Sequence, residues 1–146
     1  MSEGWIRSGK VRAREADGVV EVVVDGLATQ AKYYKPLIYE FFRKEWRGAQ
    51  PALGLAAAEE LSPYGPPPGA AGWGEFAVDI CMEYVGDPPW IDLDNLAKAI
   101  LDAIKGHVFH DDAQVARLLV ERAAGEQERI TVKVRKIGER VRPGHP

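Results

Sequence analysis

Hydrophobic and polar residues alternate most clearly over residues 74–84. Phe76, Val78, Ile80, Met82 and Tyr84 fall on one side, and Glu75, Ala77, Asp79, Cys81 and Glu83 on the other. A period of two marks a strand with one buried face. The same period returns over residues 130–136, where Ile130, Val132 and Val134 alternate with Thr131, Lys133 and Arg135. Residues 10–16 and 19–24 predict an early hairpin. Asp17-Gly18 suits its tight turn, and Val19 to Val24 is rich in β-branched residues. Asp25-Gly26 ends the second strand, and the polar and aromatic run from Thr29 to Lys35 reads as a loop. Residues 114–122 predict a further strand, followed by a polar turn over 124–129.

Two stretches carry a helical period instead. Leu37, Ile38, Phe41, Phe42 and Trp46 recur at helical spacing after Pro36, a residue suited to the first position of a helix. This helix runs about three turns and can continue past Pro51 through the alanine-rich stretch to Leu61. A second helix is predicted from Leu93 to Lys105. Leu93, Leu96, Ala97, Ile100, Leu101 and Ile104 form its apolar side. Asp92 is its N-cap candidate, with Asn95 three residues on, and Gly106 its terminator. A short loop through Phe109 then leads to Asp111-Asp112. Residues 62–73, SPYGPPPGAAGW, are a loop by composition, and Asp87-Pro88-Pro89 closes the strand at 74–84. The order is β-β-α-β-α-β-β. It implies a two-layer α/β domain, with both helices covering one face of a sheet.

Composition narrows this picture. The 146 residues fit one domain over 1–146, with loose ends. A hydrophobic share of 46% supports a true core. The single cysteine, Cys81, excludes a disulfide or a thiolate metal cluster within one chain. No apolar run approaches the ~20 residues a membrane span needs. The opening MSEGWIRSG lacks a signal-peptide core, so a cytoplasmic location is expected. The net charge of −3 does not advertise a nucleic-acid binder. Its distribution is more telling. Arg7, Lys10, Arg12 and Arg14 form one basic run, and Lys133, Arg135, Lys136, Arg140 and Arg142 another. Each can face phosphates or simply be solvated.

The candidate chemistry is acidic. Asp92 and Asp94 flank a strand-to-helix junction, where the helix dipole favours negative charge. Asp94, Lys98 and Asp102 follow one helical stripe, and Asp111 and Asp112 come after a reversal. Clustered carboxylates suit Mg²⁺ or Mn²⁺, which prefer oxygen ligands. Such an ion can activate water at a phosphodiester, and Lys98 can neutralise developing charge. Plainer readings stand beside this one. Asp92 can be a cap, Asp102 a partner of Lys98, and Asp111-Asp112 a turn. The acidic pair returns to the helix start only if the loop strand runs beside it. His107, His110 and His145 lack metal-ligand spacing, and no phosphate loop or serine nucleophile motif occurs.

The segment from Asp92-Leu93-Asp94-Asn95 through Lys98 and Asp102, followed by Asp111-Asp112-Ala113-Gln114-Val115, closely resembles the RusA family of Holliday junction resolvases. Several identities recur at fixed spacing over about 25 residues. The resemblance implies a mixed, mainly antiparallel sheet and a compact homodimer. It implies that Asp92, Asp94 and Asp112 bind divalent metal, magnesium or manganese, with Lys98 catalytic and Asp111 assisting. Asn95 and Asp102 take supporting roles. The implied substrate is four-way or other branched DNA, nicked symmetrically on two strands, and related genes are frequent in phages and prophages. The family's Pro-Pro-Ser-x-Asn-like segment is not evident in Gly26 to Lys35, and the N-terminus and residues 62–73 are extra. Lys32, Tyr33 and Lys35 can still touch DNA there, or form an ordinary surface loop. Arg12, Arg14, Lys133 and Arg135 are further DNA-contact candidates. A flap or general branched-DNA nuclease, and a non-catalytic branched-DNA binder, are the competing expectations.

Overall fold

The computed structural model describes residues 4–46, 73–88, 90–109 and 111–140. Among them are six strands: β1 (Ile6–Ser8), β2 (Val11–Ala16), β3 (Val19–Asp25), β4 (Trp73–Tyr84), β5 (Val115–Ala124) and β6 (Arg129–Arg140). Two α-helices accompany them, α1 (Tyr34–Phe41) and α2 (Leu93–Ile104). The strands form one sheet in the order β1-β2-β3-β6-β4-β5. Every neighbouring pair is antiparallel except β4 and β5. A parallel pair needs a long crossover, and α2 lies within this one. The result is the expected α/β domain with a mixed, mainly antiparallel sheet.

Alternation does the sorting. Val20, Val22 and Val24 on β3, Phe76, Val78, Ile80 and Met82 on β4, and Ile130, Val132 and Val134 on β6 are all buried. They meet Tyr34, Ile38 and Phe41 of α1 and Leu96, Ala97, Ile100, Ala103 and Ile104 of α2 in one core. Burying each large apolar side chain is worth roughly 1.5–3 kcal/mol, so this layer contact carries the fold. Lys133 and Arg135 alternate with the buried β6 residues and are exposed on the opposite face.

The hairpin turns at Asp17-Gly18 as predicted, both with positive φ (55° and 77°), the geometry a two-residue β-turn demands. Elsewhere the structure departs from the pattern. The stretch from Thr29 to Lys35 is not all loop. Ala31–Tyr33 is a 3₁₀ turn and α1 already starts at Tyr34. Pro36 is thus its third residue, still in the first turn, where no backbone N–H is needed. The helix widens to a π-turn over Phe42–Trp46, with the Phe42 and Trp46 rings 5.4 Å apart. β1 escapes the pattern because its three residues show no alternation. β5 reads weakly because most of its residues are exposed at the sheet edge. Phe109, in the connection after α2, is fully buried and bridges Lys105. Trp73, expected to end the loop at 62–73, already belongs to β4; the rest of that loop, the extension to Leu61, the tail at 141–146 and His110 and His145 lie outside the described residues.

The turn between β5 and β6 is anchored by Glu83 of β4. Its carboxylate accepts from Arg129 Nε at 2.8 Å and from the Glu126 N–H at 3.0 Å. The Arg129 hydrogen bond holds the Glu83 carboxyl below the ordinary range; partial desolvation opposes it, and the turn N–H groups add to it. A depressed folded-state value means that the stabilisation is present above the unfolded value and lost as pH falls through the folded one. Glu83→Gln should therefore lower the urea midpoint at pH 7, with the gap to wild type closing below about pH 4.5. No gap at pH 7 would remove Glu83 from the stabilising contacts.

Candidate active site

The approach to α2 is set by Ile91, which is 4% exposed and packs into the core. Arg122 of β5 reaches the Ile91 carbonyl with Nη2 at 3.5 Å. On either side of this anchor, Trp90 and Asp92 are exposed. Asp92 holds extended backbone angles (φ −66°, ψ 131°), and its carbonyl accepts the first helical bond, from the Leu96 N–H at 3.0 Å. Its position is that of the N-cap, but its carboxylate accepts no helix N–H. The predicted side-chain cap is thus absent. Asn95 Nδ2 instead donates to Asp92 Oδ2 at 3.4 Å, and Asp94 Oδ1 accepts its neighbour's N–H at 3.0 Å. Freed from capping, Asp92 keeps lone pairs for another partner.

A groove of about 500 Å³ runs along this side of α2. Asp92, Asn95, Lys98 and Asp102 line it from the helix, and Lys32 and Lys35 face them from the segment leading into α1. Helical spacing explains the membership, since positions 95, 98 and 102 follow each other at three and four residues. Asp94, expected on this stripe, is not part of the wall. Asp102 pairs with Lys35 (3.8 Å) rather than with Lys98. Lys98 forms no ion pair among the described residues and is exposed. The opposite wall is held by Tyr34, whose hydroxyl accepts the Ala28 N–H at 2.7 Å. Burial raises the Tyr34 hydroxyl above its ordinary pKa; the Ala28 hydrogen bond partly offsets this, and Glu128 adds to it.

Asp111 and Asp112 sit elsewhere. Asp111 caps the 3₁₀ turn Asp112–Gln114: its carboxylate accepts from the Ala113 N–H, and its own N–H donates to Gln114 Oε1, each at 3.0 Å. Gln114, fully buried, donates through Nε2 to the Gly74 carbonyl at the start of β4 (3.0 Å). Asp112 is therefore tied to the C-terminal end of α2, beside Lys105 and Asp102. Burial pushes its carboxyl up; Lys105 pulls it down, while Asp102 and Asp111 raise it further. Its Oδ1 is buried without a hydrogen-bond partner.

The acidic set thus falls into two groups, Asp92 and Asp94 at one end of α2 and Asp111 and Asp112 at the other. The twelve-residue helix between them is roughly 18 Å long. Among the described residues no three His, Cys, Asp or Glu side chains gather as a metal group. The donor chemistry suits a hard cation, and the orphaned Asp112 Oδ1 is an acceptor that such an ion would satisfy. Among the described residues, the two acidic groups of one chain stand at opposite ends of α2.

The other candidates divide by face. Lys32 and Lys35 belong to the groove, and Tyr33 is 49% exposed with the Lys32 ammonium 5.6 Å from its ring centre. Arg12 and Arg14 alternate with buried Val11 and Ala13, so they lie on the far face with Lys133 and Arg135. Arg12 pairs with Asp25 (3.2 Å), Arg14 with Glu21 (3.2 Å), and both guanidiniums pack over Trp5. His107 stacks on Phe42 at 5.7 Å, as a packing residue.

Residues 89–135 match the family model of the endodeoxyribonuclease RusA. This segment is RusA-like. It spans α2, both acidic groups, β5 and most of β6. No curated protein matches the chain. Among the described residues no helix is long and apolar enough to cross a membrane.

Trp90 and Gln114 are the residues that pattern reading passed over. Asp111 and Gln114 carried a signal, the spacing of a capping box. Gln114→Leu leaves the Gly74 carbonyl and the Asp111 N–H without their side-chain partner, at about 1–3 kcal/mol for each group stranded. Urea unfolding should show a loss on the order of 2 kcal/mol or more. Unchanged stability would mean that the turn stands without this side chain.

Proposed function

We propose that the protein is a metal-dependent endonuclease that cuts four-way and related branched DNA by paired, symmetric phosphodiester hydrolysis. One observation carries the reading. Within the RusA-like segment, Asp92 spends its carboxylate on no helix N–H, and the unpaired Lys98 stands in the same groove.

Asp92, Asp94 and Asp112 are the residues that would hold magnesium or manganese, with Asp111 assisting. The ion supplies charge neutralisation and an acidified water at the scissile phosphate. Lys98 donates to a phosphoryl oxygen and offsets charge as it develops. Asn95 orients Asp92 through its amide. Asp102 holds Lys35, and Lys32 and Lys35 give the adjoining phosphates a cationic wall.

The separation of the two acidic groups supports a homodimer. A two-fold axis that sets α2 antiparallel to its copy brings the start of one helix beside the end of the other. Asp92 and Asp94 of one protomer then share a site with Asp112 of its partner. Two such sites, related by symmetry, match two symmetric nicks.

The decisive assay gives the full chain four-way, three-way, flap and linear DNA with Mg²⁺ or Mn²⁺. Cleavage should favour the four-way junction and stop with EDTA. Asp94→Asn should abolish cleavage and leave junction binding largely intact, and Lys98→Ala should slow it about 10²–10³-fold. Equal cutting of flaps would make the protein a general branched-DNA nuclease, and tight binding without cutting a non-catalytic binder. The shared site makes a separate prediction. Asp92→Asn and Asp112→Asn, each inactive alone, should recover nicking of one strand when mixed, because the heterodimer holds one intact site. No recovery in a mixture shown to exchange subunits would place each site within a single protomer.

A further inference from the structure

The proposed chemistry leaves Trp90 unused. Its side chain is 99% exposed, the most exposed large hydrophobic residue described. An indole wholly in water forgoes a large burial energy, and Trp is normally among the more buried residues. Among the described residues it makes no hydrogen bond or ring contact, so the fold gives it no task.

Its position is nonetheless fixed. Ile91 is locked in the core, and Arg122 holds the Ile91 carbonyl. Asp92, on the other side of Ile91, opens α2 and shares the groove with Trp90. The indole is therefore presented two residues from a carboxylate of the proposed site. Lys32, Lys35 and Lys98 line the same groove. An aromatic platform among cations is the chemistry that holds unstacked nucleotides: ammonium groups take the phosphates and a π-face takes the base.

Resting on the nuclease reading above, we propose that Trp90 stacks on a nucleobase exposed at a DNA branch point. This contact selects branched over continuous DNA. In a continuous duplex each base face is covered by its neighbours, and reaching one costs unstacking energy. At a branch the stack is already interrupted, so the indole gains a partner without that cost. The selectivity then lies in an aromatic contact, with the lysines holding phosphates of either substrate alike. Trp90 is a specificity-determining residue in this scheme, and Asp92, Asp94 and Lys98 keep their roles without it.

The test uses the full-length protein and a four-way junction with 2-aminopurine at the branch point, without divalent metal. Wild type, Trp90→Phe and Trp90→Ala are compared by anisotropy and by 2-aminopurine emission, with a linear duplex of equal length beside them. Trp90→Ala should bind the junction about tenfold more weakly, within the range of one lost base stack, and bind the duplex as wild type does. Emission in its complex should be brighter than in the wild-type complex, and Trp90→Phe should fall between. Equal junction affinity and equal emission for wild type and Trp90→Ala would overturn the proposal while leaving the nuclease reading intact. A change of oligomeric state in Trp90→Ala would overturn it too, by making the indole an interface residue. Failure of the wild type itself to bind the junction would instead sink the underlying reading, and this inference with it.

Discussion

The parallel pairing of β4 with β5 is the constraint on which the candidate site depends. The other strand pairs are antiparallel. Parallel strands must begin at the same edge, so the chain has to travel back along the sheet between them. The return takes α2, which lies against α1 and beside β5 and whose Leu96, Ile100 and Ile104 join the common core. A helix so placed has its N-terminus near the end of β4 and its C-terminus near the start of β5. Asp92 and Asp94 therefore stand at one edge, and Asp112 at the other, where Gln114 reaches Gly74. The spread of the acidic groups follows from the topology.

Desolvation decides how each carboxylate is used. Asp92 and Asp94 are exposed, at a helix N-terminus whose dipole favours their charge. Both remain open to a cation. Asp112 is half-buried, with one oxygen orphaned, so its charge is disfavoured until a positive partner arrives. Asp111 is spent on its cap and Asp102 on Lys35. A run of similar acidic residues thus resolves into two open groups, one strained acceptor and two structural partners. Apart from the capping-box spacing of Asp111 and Gln114, none of this is visible in their spacing.

Much of the fold was legible from the sequence because period-two valine and isoleucine runs leave one answer for which face is buried. β3, β4 and β6 and the apolar side of α2 are of this kind. The motif from Asp92 to Val115 was legible for another reason, since side chains set at fixed spacing identify a segment whatever the surrounding fold. Sequence failed where backbone bonding decides the outcome. β1 is held by ladder bonds to β2, and α1 starts before its proline because the first helical turn needs no N–H donors there. It failed again on distance. Whether Asp112 returns to Asp92 depends on which way β5 runs, and nothing local encodes that. Pairing across strands is equally hidden: Arg12 and Arg14 look free along the chain, yet they form ion pairs with Asp25 and Glu21 of β3.

The two faces of the sheet consequently have different electrostatic characters. On the far face, arginines of β2 meet carboxylates of β3, and Lys133 lies in register between Glu21 and Asp79. Charges matched in this way cancel locally, whereas exposed Arg135 has Val19 and Ala77 as its cross-strand neighbours. On the helix side, Lys98 forms no ion pair among the described residues, Lys32 is exposed over the Tyr33 ring, and Lys35 stands 3.8 Å from Asp102. The chain's net charge of −3 conceals this difference. Beside α2, buried Ile91 leaves an exposed indole and an exposed carboxylate on either side of it, in the groove that these lysines line. The same anchoring that completes the core holds these two side chains at one groove.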